Sequence, residues 1–241
     1  KDLLYEPEFI ENIKVSIAEL KRISKTISAT LCIGTPVYNE EDKTISNSIL
    51  IINEGKIQYR QDKVLLPNYD IFDEKRYFRP GNQLSCINIK DKKIGFTICE
   101  DAWFEQNNHQ GLDPIKQLES ESPDIIINCM ASPYVTNKPN LRESHFQSIA
   151  KKTNAIVITV NQVGGNDELL FDGHSMLISN TGDTIKTCKG FTEDYNVIDT
   201  NNLNQEIVKQ TKPNPYETMF IGLVMGCRDY CQKTGFKTAV L

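Results

Sequence analysis

Apolar residues fall at Phe9, Ile10, Ile13, Ile17, Leu20, Ile23 and Ile27, with polar residues between them. That spacing lines one face of a helix and predicts a helix over residues 7–27. A β-rich run over 30–37 follows. Two further runs, 45–52 and 56–60, flank Asn53, Glu54 and Gly55 and read as a hairpin. Residues 84–89 and 94–98 read as two strands joined by a charged turn around Asp91. Residues 124–129 and 155–160 are nearly continuous apolar runs, the pattern of strands covered on both faces. Helical spacing returns over 114–119 and 140–153, and short strands are expected over 175–179 and 184–187. Strands and helices alternate, so the class is α/β.

Two stretches fit neither period. Residues 60–80 are polar, aromatic and irregular, too long for an ordinary connector, and long loops in compact domains tend to carry function. Residues 161–172 are glycine-rich and acidic and read as a second site loop. Near residue 200 the chain turns polar. Residues 1–200 are read as one domain, 201–213 as a linker and 214–241 as the start of another. Asn214, Pro215 and Glu217 supply a helix cap, a first-turn proline and an acidic third position. The helix they open should end at Gly235, and 236–241 reads as a first strand.

Composition narrows the function classes. The 241 residues are 39% hydrophobic and 24% charged, with a net charge of −5. An acidic balance argues against nucleic acid or an anionic membrane as partner, and no window approaches a membrane span. Seven cysteines, with no C-x-x-C among them, read as reduced thiols of a cytoplasmic protein. The three histidines lack ligand spacing, so no metal site is expected. There is no initiator methionine at Lys1 and no signal-peptide pattern, so the sequence reads as one that starts within a domain.

Candidate chemistry gathers at one point. The apolar run Lys93-Ile-Gly-Phe-Thr-Ile98 leads straight into Cys99, then Glu100, Asp101 and the single tryptophan, Trp103. A cysteine at the mouth of a buried strand is placed as a nucleophile facing a cleft. Most cysteines so placed are inert core thiols, and the cysteine alone leaves both readings open.

The surrounding motifs resolve this by resemblance. Gly34-Thr-Pro-Val-Tyr38, Lys63-Val-Leu-Leu-Pro-Asn-Tyr69, Phe72-Asp-Glu-Lys-Arg-Tyr-Phe78, Ile98-Cys-Glu-Asp-Ala-Trp103, Ser132-Pro-Tyr134 and Asn161-Gln-Val-Gly-Gly-Asn-Asp-Glu168 span nearly the whole chain. Together they resemble the nitrilase (carbon–nitrogen hydrolase) superfamily, and within it the glutamine amidohydrolase domains of glutamine-dependent NAD synthetases. The resemblance implies a four-layer α-β-β-α sandwich, followed by the first helix and strand of a second α/β domain. It implies Cys99 as nucleophile, attacking the side-chain amide of glutamine to form a thioester. Lys63 would lower the thiol pKa and stabilise the oxyanion, with the Glu100 N–H as second donor. Glu74 is either the carboxylate that orients the lysine or a loop ion pair with Lys75 or Arg76. Tyr69, Glu100, Trp103 and Ser132 are candidate glutamine contacts. The family's general-base glutamate is expected upstream of Lys1.

No cofactor is implied for glutamine hydrolysis. ATP and magnesium would serve a synthetase domain beyond Leu241, which would receive the ammonia, and the protein is expected to be a homo-oligomer. Two other functions stay in view: a stand-alone amidase acting on another small amide, and a non-catalytic oligomerisation domain.

Overall fold

The computed structural model describes residues 2–203 and 214–238. It divides into two compact units, Lys1–Glu121 and Ser122–Leu241.

In the first unit, helix α1 (Pro7–Ser24) packs on an antiparallel sheet of β1 (Leu31–Asn39), β2 (Thr44–Asn53) and β3 (Lys56–Asp62), in the order β1-β2-β3. Ile49, Leu50, Ile51 and Ile52 of β2 are buried in succession, so both faces of this central strand are covered. The β2–β3 turn places Glu54 and Gly55 in the left-handed region, at φ +49° and +79°. That is the two-residue geometry favoured in hairpins. The helix ends at Ser24, three residues before the expected end, where Ser24 Oγ accepts from the Gly55 N–H of that turn at 2.9 Å.

A second hairpin in this unit pairs β4 (Ile87–Ile89) with β5 (Lys92–Ile98). The first strand expected over 84–89 is shorter than its sequence pattern. The Leu84 and Cys86 N–H groups donate to Gln117 Oε1 (2.9 Å) and Glu121 Oε2 (3.1 Å), so side chains from the region of helix α2 (Pro114–Ser120) replace a ladder partner there. Helix α2 is capped by Asp113, whose carboxylate accepts from the Ile115 and Lys116 N–H groups. It presses close on β5, because a Cβ at Gly95 would lie 2.9 Å from Leu118 Cδ2.

In the second unit, β6 (Ile125–Met130) pairs in parallel with β7 (Ile156–Asn161). The strand β7 pairs antiparallel with β10 (Met176–Ile178), and β10 with β11 (Thr184–Thr187). Helix α3 (Lys138–Thr153) covers this sheet through buried Phe146, Ile149 and Ala150. In each unit a helix thus packs on a sheet, α1 on β1-β2-β3 and α3 on the strands around β7.

The glycine-rich stretch expected as an open loop is instead a hairpin, β8 (Val163–Asn166) with β9 (Leu169–Asp172). Its glycines serve close packing. Helix α4 (Pro215–Thr234) lies against it with Gly222 and Gly226 facing Phe191 and Leu170, and Asp229 accepts from the Gly165 N–H at 2.8 Å. Helix α4 begins at its Asn214 cap and ends at Gly235, at φ +80°. Of the expected linker, residues 204–213 lie outside the described residues. Of the expected last strand, 236–238 form no strand and 239–241 lie outside. Among the described residues, no helix is long and apolar enough to cross a membrane.

Candidate active site

The strand β5 is buried from Ile94 to Ile98, and the chain turns sharply where it ends. Cys99 adopts φ +45°, a left-handed conformation that a non-glycine residue holds only when its surroundings impose it. A 3-10 turn, Cys99–Ala102, follows, closed by the Trp103 N–H donating to Glu100 O at 2.8 Å. Cys99 is thereby set on an elbow between strand and turn.

Lys63 continues from the end of β3. Its N–H donates to Asn47 O, and its carbonyl accepts from the Gly81 N–H. The side chain is 2% exposed, and its ammonium donates to both Glu74 oxygens, at 2.8 and 2.7 Å. Glu74 is also buried, in a 3-10 turn (Glu74–Arg76) anchored by its own N–H on Pro67 O. Of the three partners open to Glu74 in the sequence, Lys63, Lys75 and Arg76, it meets Lys63.

Charge and burial set the resting protonation. Burial pulls the Lys63 ammonium down, but Cys99, Glu74 and Asp101 together carry it above its ordinary value. For the Cys99 thiol, burial pushes upward and Lys63 pulls downward. Glu74, Glu100 and Asp101 add to the upward push, and the net shift is up. The expected lowering by the lysine is therefore outweighed: three carboxylates and a dry environment hold the resting group as a thiol. It needs a base to become a nucleophile.

Glu100, 4% exposed, organises the opposite side. The Tyr69 hydroxyl donates to its Oε2 at 2.9 Å and the Asn107 amide to its Oε1 at 2.7 Å, while His109 Nε2 lies 2.7 Å from Oε1. Burial and the bond to Glu100 both raise the Tyr69 phenol. Asn107 and His109 were not singled out in the sequence; they sit in an irregular polar loop with no periodicity to mark them. Trp103 joins the group through its backbone. Beside the cluster, Val64, Leu66, Phe78 and Pro80, with Lys75 and His109, line a cavity of about 410 Å³.

Ser132 lies in the second unit, just past β6. It is buried, and its N–H donates to Asn161 Oδ1 at 3.0 Å. The Asn161 amide in turn donates to Gly173 O at 2.8 Å. Asp172 anchors this layer. Arg142 donates to both its oxygens, at 2.9 and 2.5 Å, and His174 Nδ1 lies 2.8 Å away. Burial pushes the Asp172 carboxyl up, but His174 and Arg142 outweigh it and hold it below the ordinary range. Their stabilisation is complete above that range and is lost as pH falls through the lowered value. Arg142→Leu should cost about 3–5 kcal/mol by leaving Asp172 buried and unpaired. Urea unfolding at pH 7 measures this, and an unchanged midpoint would contradict it.

Comparison with known proteins follows the same residues. The carbon-nitrogen hydrolase family model matches residues 4–209. The chain is similar to the glutamine-dependent NAD(+) synthetase of Synechocystis sp., 34% identical over 253 residues, covering 100% of this chain and 45% of that protein. Among solved structures it is similar to the glutamine-dependent NAD+ synthetase of Acinetobacter baumannii, with a TM-score of 0.86 and 30% identity, over 98% of this chain and 43% of that one. A carbon-nitrogen hydrolase from Helicobacter pylori G27 shares the fold at a TM-score of 0.66 and 18% identity, over 76% of this chain and 67% of that one. The chain spans about half the length of the curated relatives it matches.

Proposed function

Since the chain belongs to the carbon–nitrogen hydrolase family and has its α/β fold, we propose that it is the glutamine-hydrolysing part of an NAD synthetase. One observation carries the reading: the Cys99 elbow and the buried Lys63–Glu74 pair occur together in a chain similar along its length to such synthetases.

In this reading Cys99 Sγ attacks the side-chain amide carbon of glutamine. The Lys63 ammonium and the Glu100 N–H receive the charge that develops on the carbonyl oxygen. Ammonia leaves, and water then releases glutamate from the thioester. The thiol proton must go to a base, and the nearby carboxylates are engaged. Glu74 holds Lys63, Glu100 holds Tyr69 and Asn107, and Asp101 accepts three backbone N–H groups. The family pattern gives that role to a glutamate. Glu100 and Tyr69 offer polar groups for the ammonium and carboxylate of a free amino acid.

The ammonia would pass to a synthetase domain, where ATP and magnesium amidate nicotinic acid adenine dinucleotide. Among the described residues, no group of three or more His, Cys, Asp or Glu side chains could hold a metal ion. Helix α4 suits the start of that domain. It exposes Tyr216, Phe220 and Leu223 on the face away from the hairpin, an apolar surface that a further domain would cover.

An electrophilic glutamine analogue tests the reading. The intact protein should gain one adduct, on Cys99 by peptide mass spectrometry, and glutamine should protect against it. Labelling that glutamine does not slow, with protection by another small amide, would point to a stand-alone amidase instead.

A further inference from the structure

Asp101 connects two segments that the sequence keeps far apart. It is fully buried, at 0% exposure. Its Oδ2 accepts from the Ile98 N–H at 3.0 Å, which ties down the entry to the Cys99 elbow. Its Oδ1 accepts from the Val64 and Leu65 N–H groups at 3.0 and 2.8 Å. Those are the two amides directly after Lys63. Through Lys63 the chain bonds to neighbouring backbone, on Asn47 and Gly81. From Val64 onward that pairing ends, and Asp101 takes up the backbone donors.

We propose that Asp101 is a positioning residue, whose carboxylate sets the distance between the Lys63 ammonium and the Cys99 thiol by holding both backbones at once. The proposal rests on the reading of Cys99 and Lys63 as the reacting pair. Only a carboxylate of this length fits the role. Asparagine offers one acceptor oxygen, and its NH₂ would face a backbone donor. Glutamate would push the held segments apart by a methylene.

The test uses Asp101→Asn in the intact protein. Displacing reacting groups by about an ångström costs on the order of 10²-fold in rate. Glutamine-dependent kcat should fall by about that factor, with KM changed less than about threefold, because transition-state contacts are lost rather than ground-state binding. The second readout is the pH midpoint of Cys99 alkylation by iodoacetamide. The charged groups facing the thiol are Lys63, Glu74, Glu100 and Asp101. Removing the Asp101 charge alone would move the midpoint down, whereas releasing Lys63 from its position moves it up. An upward shift is expected. A downward or absent shift, or unchanged kcat with only a lower melting temperature, would overturn the proposal. If Asp101→Asn does not fold, Asp101→Glu keeps the charge and the same outcomes apply, since any upward shift then comes from displacement. Alkylation needs no turnover. Wild-type protein that fails to hydrolyse glutamine therefore sinks the functional reading, while the midpoint still decides the role of Asp101.

Discussion

Cys99→Ala should abolish glutamine-driven NAD formation by the intact protein, by at least about 10⁴-fold, the scale on which loss of a covalent nucleophile acts. Ammonia-driven NAD formation should stay at the wild-type rate. The buried strand β5 ends at a residue held at φ +45°, and the Lys63 ammonium contributes to that residue's electrostatic surroundings. No other thiol of the described residues occupies such a position. Cys86, for comparison, holds no such backbone turn, and burial and Glu121 push it up to about 11 against the pull of Lys93. Alanine can adopt the same backbone conformation, so the fold should survive and the comparison with free ammonia is fair. Initial rates with glutamine and with an ammonium salt, on the same preparation, make the measurement. Retained glutamine use would remove Cys99 from the mechanism. Loss of both activities in a folded variant would mean that the cysteine also supports a downstream step.

Much of this was legible in the sequence, for identifiable reasons. Helix α1 announces itself through apolar spacing and helix α4 through its Asn214 cap and Gly235 stop, which are local signals. The strand into Cys99 was visible because burial on both faces leaves a continuous apolar run. Other features depend on contacts that no window contains. The stretch around Gly164 and Gly165 looks like a loop by composition, yet forms a hairpin because the glycine positions of α4 press against it. Leu84 and Cys86 look like strand, yet their N–H groups meet side chains of the α2 region. Asp101 reads as one more charged residue after the cysteine. Its importance lies in bonds to Val64 and Leu65, 37 and 36 residues away in sequence. His109 and Asn107 reach Glu100 from a loop whose conformation has no sequence period.

Lys63→Met should lower glutamine hydrolysis by about 10²–10³-fold, the loss that follows removal of one oxyanion donor. The variant should also be less stable by about 3–5 kcal/mol, because Glu74 is left buried without its cation. The two effects separate in Lys63→Met/Glu74→Leu. Replacing a buried ion pair by apolar side chains of similar size is often neutral, so the double variant should regain the wild-type urea midpoint. Its activity should stay low, because no ammonium faces the carbonyl oxygen. Recovery of both would make the pair structural; full activity in Lys63→Met would take the lysine out of the chemistry.

Glu74→Gln completes the argument through pH. In the folded protein Lys63 sits above its ordinary value, with Cys99, Glu74 and Asp101 overcoming the downward pull of burial. The stabilisation this represents is complete below the ordinary lysine value and is lost as pH rises through the raised one. Taking away the Glu74 charge removes one of the three upward contributions and leaves the burial. Lys63 then loses its proton at lower pH, and the alkaline limb of the kcat profile should move to lower pH relative to wild type. An unmoved limb would mean that a different group sets it, and would leave Glu74 with the orientation of the lysine side chain rather than its charge.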